Sequence, residues 1–146
     1  MRSREIVNKI NSLLNQSCYL YAQYAQEAKI SYIEMMVLYA LLNTDAPLTQ
    51  IELGAYYGIS KQSVNSVVKK YKTEGYIKVL QAEKDKRQKY LKLTNKGIEY
   101  SHSILDKLMA IEDEVSATIG EKNKAIMEGL EMYNVLFEKR LFKKDK

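Results

Sequence analysis

Cysteine and histidine are nearly missing from this sequence, which holds Cys18 and His102 and no others among its 146 residues. A structural zinc site needs about four such ligands, so no metal and no cofactor is expected. A Cys–His nucleophilic pair would rest on these two residues alone, with no supporting signature. GxGxxG, P-loop, HExxH and GxSxG patterns are also absent, so no catalytic residue is assigned and an enzyme is not expected. Pro47 is the one proline and there are six glycines, which leaves little room for a long flexible linker. No apolar run reaches membrane-spanning length, and the opening MRSREIVNKI puts Glu5 and Asn8 where a secretory signal requires its apolar stretch. A soluble, cytoplasmic chain without a membrane partner is the expectation.

What the chain does have is a 46% hydrophobic content, enough for one real core and too little for two independent domains. Its net charge is +5, but eleven Lys and Arg stand against three acids between Lys61 and Lys96, so the remainder is slightly acidic. A basic block in such a chain is the footprint expected where phosphates are met. Taken alone, it reads better as a solvated charged face.

Residues 3 to 28 place Ile6, Val7, Ile10, Leu13, Leu14, Cys18, Tyr21, Tyr24 and Ala25 at intervals of three and four, which predicts one long amphipathic helix. Ser31 and Glu34 form a capping box that opens a second helix. Its run MMVLYALL is apolar on nearly every side, so this helix should be the buried hub. Thr49 and Glu52 repeat the box, with Leu48 as a staple residue, and Gly58 ends that helix at about Tyr57. Ser60 then caps a helix over Lys61 to Glu74. Two helices joined by a short Gly-containing turn make a helix-turn-helix.

At 100° per residue, Val64, Val67, Val68 and Tyr71 share one face of that second helix. Gln62, Asn65, Ser66 and Lys69 share the opposite one. The polar face suits base edges in a major groove, and Lys61 and Lys70 on the flanks suit phosphates. With Ser60 and Ser63 at the start, these are the expected DNA contacts of the helix. Beyond Gly75 the period falls to two, and Tyr76 to Leu80 and Tyr90 to Leu93 read as strands around a basic tip. That hairpin is a wing: Lys84, Lys86 and Arg87 would meet the duplex, Arg87 in the minor groove. Asp85 either orients Arg87 or simply favours the turn. Thr94 starts a further helix with a long stripe, and Thr118 with Glu121 reads as a capping box for a last helix over Ile126 to Leu141.

The fold class is therefore mainly α (α+β): a winged helix-turn-helix over residues 31–97. Residues 1–30 and 98–146 form a helical dimerisation region, the whole being one continuous domain. The long apolar stripes, too large for the small winged core to cover, point to a homodimer.

Five fragments in order then carry a resemblance: Leu48-Thr49 with Leu53, Gly58-Ile59-Ser60, Glu74-Gly75-Tyr76-Ile77, Asp85-Lys86-Arg87, and Leu93-Thr94-Asn95-Lys96-Gly97. The stretch resembles the MarR family of bacterial transcription regulators. That resemblance implies a homodimeric, ligand-responsive repressor on a pseudo-palindromic operator, with recognition helices in successive major grooves and the Asp-x-Arg arginine in the minor groove. Two departures stand out. Ser66 replaces a frequent arginine, and Tyr71-Lys72 replaces Leu-Glu, which leaves the angle of the helix open.

Two triggers are compatible with the sequence. Cys18 in NQSCYLYAQYA resembles the first-helix cysteine of the family's peroxide and thiol sensors, with Tyr21 and Tyr32 as neighbours. Otherwise a small aromatic ligand would sit among Tyr24, Tyr32 and Met36. A winged helix that binds duplex DNA without sequence preference is the third reading.

Overall fold

Helix α2 (Tyr32–Leu42) buries Glu34, Met35, Met36, Val37, Leu38, Ala40 and Leu41 in a computed structural model that describes residues 2–81 and 89–142. An apolar run without a polar face has to be walled in, and the neighbouring elements of the first compact unit, Met1–Asp106, supply the walls. They are α1 (Ser3–Glu27), β1 (Leu48–Thr49), α3 (Gln50–Tyr57), α4 (Lys61–Thr73), β2 (Ile77–Gln81), β3 (Lys89–Leu93) and the start of α5 (Asn95–Ile119). Their contributions to the core include Ala25, Leu53, Val64, Val68, Tyr71, Ile77, Leu91 and Leu105.

Each expected start signal in this unit forms. Ser31 Oγ accepts from the Glu34 amide at 3.1 Å, while Glu34 Oε2 accepts from the Ser31 amide at 2.8 Å. Thr49 and Glu52 repeat the pair at 3.2 and 2.7 Å. Ser60 Oγ accepts from the Ser63 amide at 3.2 Å. Gly58 closes α3 with φ +60°, a left-handed conformation that costs glycine no side-chain clash.

The sheet has one strand more than expected. The order is β1-β3-β2, all antiparallel, with Val79 opposite Leu91 and Leu48 opposite the same Leu91 on the other side. Leu48 is thus a strand residue, not only a lead-in to α3. A two-residue strand has no period for a sequence reading to detect.

The Leu-Thr-x-x-Gly fragment locks α5 to the base of the hairpin. Thr94 Oγ1 accepts from the Gly97 amide at 3.0 Å and donates to the Gly75 carbonyl at 2.6 Å. Gly97 lies so close to the bend before β2 that a Cβ there would stand 2.0 Å from the Tyr76 carbonyl oxygen. At the far end of the unit, Tyr24 Oη donates to the Ile104 carbonyl at 2.7 Å and ties α1 to α5.

In the second unit, Lys107–Lys146, α5 continues to Ile119 and α6 spans Lys122–Leu141. The Thr118–Glu121 capping box does not form. Glu121 makes no side-chain cap bond, and Thr118 Oγ1 donates backwards to the Glu114 carbonyl at 2.9 Å. A hydroxyl in the last turn of a helix finds the carbonyl four residues back more easily than an amide ahead. The joint is fastened instead by the Asn123 side-chain amide, which donates to the Ser116 carbonyl at 2.8 Å. Among the described residues, no helix is long and apolar enough to cross a membrane.

Gly97→Ala is expected to destabilise the chain by about 3 kcal/mol, because neither backbone has a flexible end to move aside. Gly129→Ala, where an added Cβ meets nothing within 4 Å, should be neutral or stabilising by roughly 0.5–1 kcal/mol. Urea unfolding of both variants checks the contrast, and equal stabilities would show that the Tyr76 approach is not tight.

Candidate nucleic-acid interface

The two faces of α4 are divided as the spacing predicts. Val64, Val67, Val68 and Tyr71 are buried, while Lys61, Gln62, Asn65, Ser66 and Lys69 are exposed. Not every polar atom on the outer face is free to bond outward. Ser60 donates to Ser63 Oγ at 2.9 Å, and Ser66 Oγ donates back to the Gln62 carbonyl at 3.1 Å. Among the described residues, Gln62, Asn65 and Lys69 make no such side-chain tie and extend from the helix, so they have the longer reach.

Lys70 behaves differently. Its side chain is half exposed, yet its Nζ is bonded to Glu34 Oε1 on α2. This bond holds the Lys70 ammonium above its ordinary pKa. Burial alone would push the Glu34 carboxyl up, but the bonds from Lys70 and Ser31 outweigh it and hold the group below its ordinary 4.5.

Tyr71 fits where a leucine is usual because three aromatic rings share the space. Its ring meets Tyr76 edge-on at 5.6 Å and Tyr100 at 6.1 Å, and those two stack at 4.2 Å with 4° between planes. Lys96 Nζ lies 4.9 Å from the Tyr76 ring centre. Such pairs add roughly 1 kcal/mol each beyond burial. The Tyr71 hydroxyl is buried beside Tyr100 with no hydrogen bond of good geometry among the described residues, and burial pushes its pKa well up.

Lys84, Asp85, Lys86 and Arg87 lie outside the described residues. Strands β2 and β3 pair as far as Gln81 opposite Lys89. Beside the Gln81–Lys89 end of this strand pair is a groove that the sequence reading did not foresee, lined by Gln50, Ile51, Lys61, Asn65, Lys89 and Tyr90. It exists because β1 pairs with β3, which sets Thr49 opposite Tyr90 and brings the start of α3 beside the hairpin. The only advance signal was the bare exposure implied by Ile51 between Gln50 and Glu52.

The residues expected to sense a trigger are scattered in their roles. Cys18 is exposed on α1. Tyr32 adjoins it, and burial followed by the nearby Cys18 thiol raises the Tyr32 pKa. Tyr21 is half buried. Tyr24 spends its hydroxyl on Ile104, and Met36 is 5% exposed within the core. His102 Nδ1 pairs with Asp106 at 2.7 Å on the surface of α5.

Comparison with known proteins places this geometry in a recognisable setting. The MarR family model matches residues 29–88. YwoH of Bacillus subtilis, an uncharacterised HTH-type transcriptional regulator, is 29% identical over 84% of this chain and 88% of its own length. A MarR family regulator from Neisseria meningitidis superposes with a TM-score of 0.79 at 26% identity, covering 92% of this chain and 95% of that one. Reduced AbfR bound to DNA shares the fold with a TM-score of 0.66 at 18% identity, over 92% and 93% of the two chains.

A carboxyl with a depressed pKa in the folded state contributes stability above its unfolded pKa and loses it as pH falls through the folded value. The stability difference between wild type and Glu34→Gln should therefore be constant near neutrality and shrink below about pH 4.5. Thermal melts across pH 3 to 7 read it, and a difference that stayed constant down to pH 3 would show that Glu34 is not held ionised by its partners.

Proposed function

We propose that the chain is a winged-helix transcription regulator of the MarR family, and that it acts as a homodimer reading a pseudo-palindromic duplex operator. The observation that carries this reading is the outer face of α4, where exposed Gln62, Asn65 and Lys69 stand opposite a valine face sunk in the core. Gln and Asn exchange paired hydrogen bonds with adenine in the major groove, and Lys61 and Lys69 meet the flanking phosphates. Ser60, Ser63 and Ser66 lie along the same edge and accept or pass on shorter contacts. The hairpin residues Lys84, Asp85, Lys86 and Arg87 enter from the sequence alone, Arg87 as the minor-groove side chain.

Pairing is supported by what the fold leaves in water. Ile6, Leu13 and Leu14 on α1 are between 41% and 48% exposed, and Val135, Leu136 and Phe137 on α6 are more than half exposed. Apolar side chains clustered along helices in this way exceed the scattered exposure of a monomer. An isologous two-fold contact would cover them and set two recognition helices one helical turn of DNA apart.

A second reading draws on the Cys18–Tyr32 contact. An exposed thiol beside a tyrosine at the start of the hub helix supports a reading in which Cys18 takes up an organic hydroperoxide. The sulfur would attack the peroxide oxygen and become a sulfenic acid, and the O–O bond would break to release an alcohol. AbfR, solved bound to DNA in a reduced form, is a fold relative in which redox state is distinguished.

A duplex selected by the wild-type chain from a random pool should bind at least about a thousandfold more tightly than a scrambled one, with two chains per duplex by sedimentation. Arg87→Ala should lower the salt slope of binding by about one unit. Equal affinity for both duplexes would leave only a non-specific winged helix. For the second reading, cumene hydroperoxide should release the wild type from the selected duplex and spare Cys18→Ser; the same response in both would remove Cys18 as the switch.

A further inference from the structure

Lys70 differs from the other cations of α4 in where its charge is spent. Glu34 is only 11% exposed, and its two oxygens have separate tasks. Oε2 accepts the Ser31 amide and closes the capping box of α2, while Oε1 takes the Lys70 ammonium. One carboxylate therefore fastens the first turn of the hub helix and the third turn of the recognition helix together. The remaining α2–α4 packing involves apolar side chains such as Val64, Val67 and Val68. Dispersion contacts of that kind are non-directional and tolerate a small rotation or slide; a hydrogen-bonded ion pair does not.

A phosphate competing for Lys70 would have to leave Glu34 ionised, largely enclosed and unpaired. It would exchange one anion for another at the ammonium, so little would be gained at Lys70 to offset the loss at Glu34. Lys61 and Lys69 carry no such tie to a buried acid among the described ion pairs.

We propose that Lys70 is a positioning residue: with Glu34 it sets the rotation of the recognition helix on α2, and it is not one of the phosphate contacts. The inference rests on the DNA-binding reading above and deepens it, since the pair fixes the angle at which Gln62, Asn65 and Lys69 are presented. Because Lys70 immediately precedes Tyr71, the pair also holds the aromatic box in register with α4.

The test uses the full chain and the duplex selected by the wild type. Salt series by fluorescence anisotropy compare wild type, Lys70→Gln, Glu34→Gln, the double variant and Lys70→Arg. Glu34→Gln keeps a side chain that serves a capping box, so folding is preserved while the ion pair is lost. Each single variant is expected to weaken binding roughly fivefold, the double no more than either single, and the salt slope to stay at the wild-type value. Lys70→Arg should restore affinity. A slope lowered by about one unit in Lys70→Gln, with Glu34→Gln neutral or tighter, would make Lys70 a phosphate contact and overturn the proposal. Additive losses in the double variant would overturn it too. A wild type that selects no duplex would remove the DNA reading instead. Amide hydrogen exchange then decides the strut by itself: faster exchange over residues 67–73 in both single variants upholds it, and unchanged exchange ends it.

Discussion

A helix with no side left for water is the constraint from which the first unit follows. Helix α2 is apolar on all sides but for Glu34, so α1, α4, the sheet and the start of α5 must gather around it. Burial at roughly 25 cal/mol per Å² of apolar area drives that assembly without specifying angles. Direction comes from a few polar groups at the edge of the core. Thr94 bridges Gly75 and Gly97, Tyr24 reaches Ile104, and Glu34 joins Ser31 to Lys70.

The recognition helix shows how these two kinds of force divide the work. Its valines hold it against the hub, and its outer face is left polar. Tyr71 would seem too large for its place, and the space it needs is made by Tyr76 and Tyr100, whose stacked rings stand edge-on to it. That arrangement leaves the Tyr71 hydroxyl without a well-formed hydrogen bond among the described residues, a polar cost accepted for aromatic packing. Among the described residues, Glu34 supplies the charged tie across the α2–α4 contact, so the outer face of α4 proposed to meet DNA is oriented from inside the core.

The second unit is of another kind. No residue of α6 is buried, and Ile111 and Val115 of α5 are about half exposed. Its one aromatic pair, Tyr133 with Phe137 at 5.8 Å, lies within a single helix. This uncovered apolar surface is what the proposed homodimer would cover.

Much of this was legible beforehand, and the pattern of success is physical. The boxes at Ser31 and Thr49, the cap at Ser60, the left-handed Gly58 and the two faces of α4 all depend on groups within four residues of one another, where backbone geometry leaves few alternatives. Thr118 failed at the same range because a nearby carbonyl competed for its hydroxyl. The sequence by itself thus determined the helices of the first unit, the buried and exposed faces of α4 and the family-like fragments. Only the tertiary structure decided that Leu48 is a strand partner of Leu91, that Tyr24 bonds a carbonyl 80 residues away, and that Lys70 turns to an acid 36 residues before it. Those outcomes depend on which surfaces the hub brings together, and a lysine on a helix flank has the same sequence signature whether it faces a phosphate or a carboxylate.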